Sequence, residues 1–548
     1  MGRGVLWYSP PFFFQERVPI MRACLLLFAV LSLAACDSGF SGNPRDNQPP
    51  DTQLSVRDTS LTDNLAEEDR LTSTVRITWS GDDPDGYVVG YEIRYAPNGE
   101  SINTMPWERT TTRDTLLLLP IPSGGKVADV QFEVRAVDQL GAVDPTPAST
   151  VFPIQNSPPS IRLSTFDLPP DTTVGVFTFA WIPDDPEGPA NIAAIDVSFN
   201  DTLNFTRVPA DVDFATFILE TSDDPSDTVG TARMFNGRSL QPTDFYFDNI
   251  RLNADNTIYL RAVDKTDTTS ARIEYTWWVK PVTGTILFVN DYRKSTNDVV
   301  SAFHLDLLKD YLPEDTKVDT WYISEPYVTG NTGNAPRSAA LPPNLSPTLV
   351  SFFNQYDHIY WVSSATTNRI AGNNFPAAAS VLSDFFREGG TIMVHSPMLA
   401  PSDPEEVLSN PAVTTLPLNN LLTLPDSLRR LSLSPGAEIR AATNSPLLLP
   451  TLTPQSIVIG PLPYEASTAA TQPLYVADFT YRLRNNRSGT WTTPNVIASI
   501  STDRRVGLFS LPLVDENTGR ALLTDPDGDE EAAREAVFAI LAELGFPR

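Results

Sequence analysis

Cysteine is almost missing from this 548-residue chain: it occurs only as Cys24 and Cys36. The sequence beyond Cys36 therefore has no disulfide, no cysteine-based metal site and no thiol nucleophile, and must fold by core burial alone. Histidine is nearly as scarce, so His304, His358 and His395 are the only imidazoles for acid–base or metal chemistry. Lysine is rare too, and acidic residues outnumber basic ones 67 to 39, giving a formal net charge of −28. No basic patch interrupts this repulsive field, which excludes nucleic acid as a partner. An acidic, lysine-poor surface stays hydrated in high salt and points to a salt-adapted source. There is no Walker loop, dinucleotide fingerprint, zinc-ligand spacing or Ser-His-Asp order, and no cofactor is expected.

Long apolar runs are also absent. Ala23 to Ala35, broken only by Ser32, follows Met21-Arg22. A spanning helix needs roughly 20 apolar residues, so this run reads as a signal-peptide core. Pro10-Pro11, Phe12-Phe13-Phe14 and Glu16 do not suit a short basic leader, which places the expected start at Met21. Leu33-Ala34-Ala35-Cys36 resembles the lipobox of bacterial lipoproteins. That resemblance implies cleavage before Cys36, lipid on its thiol and acylation of its amine; about two chains are what stable anchoring takes. It makes residues 1–35 a signal peptide and the lipid membrane a partner, at a cell-envelope location (outer membrane, periplasmic or surface face). Residues 36–52 are then the lipidated cysteine and a Gly/Ser/Asn/Asp/Pro tether, which reaches roughly 50 Å when extended.

The next two blocks repeat each other. Trp79-Ser80-Gly81-Asp82-Asp83-Pro84-Asp85-Gly86 matches Trp181-Ile182-Pro183-Asp184-Asp185-Pro186-Glu187-Gly188, and Val134-Arg135-Ala136-Val137-Asp138 matches Leu260-Arg261-Ala262-Val263-Asp264. The Trp-to-Arg spacing is longer in the second copy, which implies an insertion within Pro209–Asp244. Short alternating strands separated by turn-rich segments predict an all-β sandwich at 53–157 and a second, with the insertion, at 158–282. With Trp79, Trp181 and the Tyr91-x-x-x-Tyr95 strand, the pattern resembles fibronectin type III and related immunoglobulin-like domains. The resemblance implies that both tryptophans lie in the core.

After Gly284, strands and helices alternate: strands at 285–290, 318–323, 358–362 and 391–394, and helices at 298–312, 348–355 and 377–387. Such alternation predicts a parallel sheet covered on both faces. Strands at 456–459, 474–481, 496–501 and 506–510 suggest an antiparallel extension before a closing helix at 530–544. Tyr356-Asp357-His358-Ile359-Tyr360-Trp361 and Phe385-Phe386-Arg387-Glu388-Gly389-Gly390-Thr391-Ile392-Met393-Val394-His395-Ser396 resemble class I glutamine amidotransferase-like domains. That resemblance implies a flavodoxin-like core over 283–548. The fold class is thus multidomain: two all-β sandwiches, then an α/β flavodoxin-like domain with an antiparallel extension.

Active amidotransferases carry a cysteine on the elbow after the buried strand, with a downstream His-Glu pair. Here the elbow falls at His395-Ser396-Pro397, without cysteine or downstream histidine. No catalytic residue is assigned. Ligands of open α/β sheets sit beyond the carboxyl ends of the strands, which makes Asp291, His395 and Ser396 the candidate pocket residues, with Tyr292, Ser363 and Ser364 on the same rim. The acidic turns Asp82-Asp83-Pro84-Asp85 and Asp184-Asp185-Pro186-Glu187 offer hard oxygen ligands that suit Ca²⁺, with Asp82, Asp83 and Asp85 the candidate ligands, but Asp-Asp-Pro-Asp-Gly is also strong turn chemistry, and the turn is the favoured reading. Asp525-Pro526-Asp527-Gly528-Asp529 reads as a helix start rather than a cation loop. Trp277-Trp278 and Trp321-Tyr322 read as core positions. The function expected is a membrane-anchored envelope lipoprotein that binds or scaffolds an envelope protein or glycan. The alternative is a hydrolase of glycans or peptides acting through the C-terminal domain, and a third is a calcium-stiffened adhesin.

Overall fold

The structure is a computed structural model. It describes residues 46–56, 70–97, 99–122, 125–220, 227–292, 296–323, 327–329, 336–338, 340–343, 345–364, 374–398, 411–422, 424–466 and 469–548. The signal-peptide, Cys36 and most of the tether readings lie outside the described residues. Contacts divide the chain into two compact units: residues up to 65 with 75–119 and 129–153, and residues 66–74, 120–128 and 154–548. Among the described residues no helix is long and apolar enough to cross a membrane.

In the first sandwich, Thr74–Asp82 alternates strictly, with Val75, Ile77 and Trp79 buried and Arg76 and Thr78 exposed. It pairs with Asp51–Val56 in a three-stranded sheet that also holds Asp114–Leu118. Trp79 is 2 % exposed and packs edge-on to Tyr91 and obliquely on Phe132, which meets Phe152.

Two five-stranded sheets make the second sandwich. Its core is a cluster of interlocking rings, Phe177, Phe179, Phe199, Phe217, Phe247 and Trp277. The hairpin Val229–Asn236 and Gln241–Arg251 extends the sheet beyond Phe214–Leu219. Trp277 is buried, whereas its neighbour Trp278 faces outward at 38 % exposure, as a two-residue period requires.

Beyond residue 283, five strands run parallel in the spatial order Val318–Tyr322, Ile286–Asp291, His358–Ser363, Thr391–His395, Val506–Phe509. Val496–Ser501 then pairs antiparallel with the last of them. One face of the sheet packs on the helices Asn297–Tyr311 and Glu531–Glu543 and on inserted strands. The other packs on Val350–Phe353, Phe375–Ala379 and Leu382–Arg387.

Helix is sparser than the sequence suggests. The single helix expected over 377–387 is two short ones, because Val381 leaves helical geometry at φ −122°. Only Val350–Phe353 of 348–355 is α-helical, after a turn broken at Ser346. An insertion of strands with one short helix, Pro411–Thr415, separates Thr391–His395 from Val506–Phe509, so the described residues hold far more strand than helix. Gly389, at φ +109°, ends Leu382–Arg387, and a Cβ on Gly390 would lie 2.3 Å from the Phe385 ring. These two glycines let the chain turn tightly beneath that ring and re-enter the sheet.

Candidate functional site

The polar residues of the C-terminal region gather where the parallel strands end. Asp291 closes Ile286–Asp291, Ser363 closes His358–Ser363 and His395 closes Thr391–His395. Each lies one or two positions beyond a run of buried apolar residues that form the strand, so burial of the strand carries its terminal side chain into the interior.

Asp291 is fully buried. Its carboxyl accepts from the Asn374 backbone N–H at 2.5 Å, from Asn374 Nδ2 at 2.7 Å and from Ser363 Oγ at 3.2 Å. Ser363 Oγ in turn accepts from Trp361 Nε1 at 2.8 Å. Burial raises the Asp291 pKa to about 7, and the bonds from Asn374 and Ser363 only partly oppose it. Asp291 is thus a carboxyl whose proton is exchangeable near neutral pH.

His395 is 4 % exposed, and both of its ring nitrogens are buried without a hydrogen-bond partner. Its ring lies 4.9 Å from those of His304 and Tyr360 and 5.9 Å from Phe509. His304 Nδ1 is bonded to the Tyr360 hydroxyl at 2.9 Å. Desolvation lowers the pKa of His304 to about 3, and desolvation together with His304 holds His395 well below the ordinary imidazole range. Both rings are therefore neutral at physiological pH. Tyr292, His304, Ser363 and His395 share a cavity of about 10 Å³, which is room for roughly one water molecule.

Of the predicted pocket residues, Asp291 joins Ser363, and Ser363 and His395 line the same cavity. Ser396 is 5 % exposed, buried rather than presented on an elbow. Two participants were not singled out from sequence. His304 belongs to the inward stripe Val300, His304, Leu307, Leu308, Tyr311, a spacing that could have placed it there. Asn374 carries no sequence signal, because it reaches Asp291 from 83 positions away.

The turns of the repeat are built alike. Asp83 Oδ1 accepts from the Asp85 N–H at 3.3 Å, and Asp185 Oδ1 from the Glu187 N–H at 2.9 Å. Asp82 and Asp85 are exposed. Asp525 Oδ1 accepts from the N–H groups of Asp527 and Asp529, and Asp529 Oδ1 from Glu531 at the start of the closing helix. Trp321 is buried, whereas Tyr322 is 41 % exposed and is not a core position.

No protein-family model matches the chain, and no curated protein matches it. Solved structures that resemble part of it include fibronectin(III)-like modules of Clostridium thermocellum CbhA, at 11 % identity over 39 % of this chain and 88 % of that one, TM-score 0.15. A two-domain fibronectin type III segment of chicken tenascin is 14 % identical over 42 % of this chain and 99 % of that one, TM-score 0.19. The chicken interferon gamma receptor alpha chain is 10 % identical over 38 % of this chain and 95 % of that one, TM-score 0.21. Two of these three structures are of fibronectin type III modules.

Proposed function

We propose that this chain is a lipid-anchored protein of the bacterial cell envelope, held through Cys36, whose folded modules bind or scaffold an envelope protein or glycan. In this reading residues 283–548 are an amidotransferase-like domain that has lost its chemistry. The strand order of its parallel segment is that of flavodoxin-like sheets, with strand one between two and three. One observation carries the non-catalytic reading. A hydroxyl nucleophile needs a base within hydrogen-bond reach, yet the rings around His395 leave both its nitrogens without a partner, and His304 is bonded to Tyr360. Asp291 is tied to Ser363 and Asn374 instead.

The alternative, a hydrolase of glycans or peptides, is favoured by Asp291, a carboxyl whose proton is exchangeable near neutral pH, as a general acid requires. Peptide and glycan substrates, offered to the purified chain and to Ser396→Ala, His395→Ala and Asp291→Asn, separate the two. Binding or scaffolding predicts no turnover that these changes remove. Hydrolysis by the wild type that any of them abolishes establishes the hydrolase instead.

A further inference from the structure

The repeated acidic turns hold more than turn chemistry. In the second sandwich, Asp185 and Glu187 lie with their carboxyl groups against each other. Each uses one oxygen: Asp185 Oδ1 accepts from the Glu187 N–H and from Asn191 Nδ2 at 3.1 Å, and Glu187 Oε1 from the Ser157 N–H at 3.0 Å and from Ser73 Oγ. The other two oxygens, Asp185 Oδ2 and Glu187 Oε2, are buried without a hydrogen-bond partner. Asp185 is only 3 % exposed. A third carboxylate, Asp264, 1 % exposed, accepts from Asn156, the residue before Ser157. Among the described residues none of the three is in an ion pair.

Buried carboxylates are ordinarily paired with a cation or coordinate a metal, and a buried oxygen without a donor calls for a cation or a shared proton. The first sandwich repeats the plan in the same register. Asn47 donates to Asp138, the Gln48 N–H to Asp85 at 3.1 Å, and Asp83 Oδ2 is again buried without a partner. Two copies that differ in sequence, Asp85 against Glu187 and Gln48 against Ser157, have kept the same unsatisfied oxygen. Turn formation alone uses only the other oxygen of that aspartate.

We propose that Asp185 and Glu187 hold a hard divalent cation, with Ca²⁺ the best fit. Among the described residues no three Asp, Glu, His or Cys side chains converge on one point. The site therefore combines two carboxylates with neutral oxygens, which suits Ca²⁺: it takes six to eight oxygens, backbone carbonyls and waters among them, in irregular geometry. A cleft of about 230 Å³ lined by Asn156, Glu187, Asn191 and Thr266 opens beside Glu187. With two charged ligands, the affinity belongs with extracellular modules, on the order of 0.1–1 mM.

The test uses the full chain carrying Cys36→Ser for solubility, stripped with a chelator and titrated with CaCl₂ at physiological ionic strength. Calorimetry and thermal melting are both read. The expected result is saturable binding and a melting temperature that rises with Ca²⁺. In the double variant Asp185→Asn, Glu187→Gln, binding weakens by about tenfold or more and the rise disappears, whereas Asp82→Asn, an exposed acid, leaves both unchanged. If the pair shares a proton instead of a cation, Ca²⁺ leaves the wild-type melting temperature unchanged, which overturns the proposal. Equal loss in Asp82→Asn overturns it too, because binding is then diffuse attraction to an acidic surface.

Discussion

The Trp181 indole N–H donates to the Val212 carbonyl at 2.7 Å, whereas its counterpart in the first sandwich, Trp79, buries the same group without a partner. Both rings are almost fully buried, so replacing either by phenylalanine removes similar apolar contact. Only at Trp181 does the change also strand an acceptor. Trp181→Phe should destabilise its sandwich by about 1–3 kcal/mol more than Trp79→Phe destabilises its own. Denaturant midpoints of the two variants check this.

Asp291 sets a pH dependence of known sign. Its folded pKa of about 7 lies above the unfolded carboxylate value. Between roughly pH 4 and 7 the folded chain holds a proton that the unfolded chain has released, so this residue's contribution to stability falls as pH rises through that window and levels off above it. Asp291→Asn should remove that slope, and relative to wild type it should gain on the order of a few kcal/mol between pH 5 and pH 8. Melting both proteins across that range measures the difference, and parallel curves would refute the assignment.

His395 works in the opposite direction. A neutral buried imidazole is protonated on unfolding in acid, so the stability it permits is full above about pH 6.5 and is lost as pH falls. His395→Leu, of similar volume, removes two orphan nitrogens from among the rings of His304, Tyr360 and Phe509. The variant should be more stable at pH 5 by about 1–3 kcal/mol, with a smaller gain at pH 8. A loss of stability at both values would mean that the ring has a polar partner.

Gly390 has no room for a side chain. With the Phe385 ring 2.3 Å from the position of an added Cβ and Phe385 itself 1 % exposed, Gly390→Ala must displace a core aromatic. The expected cost is about 1–3 kcal/mol. A lowered midpoint for Gly390→Ala, with Phe385→Leu partly restoring it in the double variant, is the measurement.

Much of this architecture was legible because period and turn chemistry are local. Trp79 and Trp181 are placed in cores by the resemblance to fibronectin type III domains, and the strands ending at Asp291, Ser363 and His395 by their apolar runs. What could not be read depends on distance in sequence. Asn374 finds Asp291 across 83 positions of chain, and His304 meets His395 only once a helix packs on the sheet. The Asp185–Glu187 turn is visible in the sequence but reads as turn chemistry, because the residues that make a good Asp-Pro turn are the same ones that can leave a carboxylate oxygen over. Helices were overread at 348–355 and 377–387, where a broken turn at Ser346 and the φ of Val381 override a helical pattern.

The proposed display of the folded modules at the envelope depends on lipid anchoring through Cys36. The direct measurement is metabolic labelling with an alkyne fatty acid in a bacterial host expressing the full chain, alongside Cys36→Ser, followed by membrane fractionation. The account predicts a labelled wild-type protein in the membrane fraction, and an unlabelled Cys36→Ser protein released from it. An unlabelled wild type, or a Cys36→Ser protein that stays with the membrane to the same extent, would contradict it.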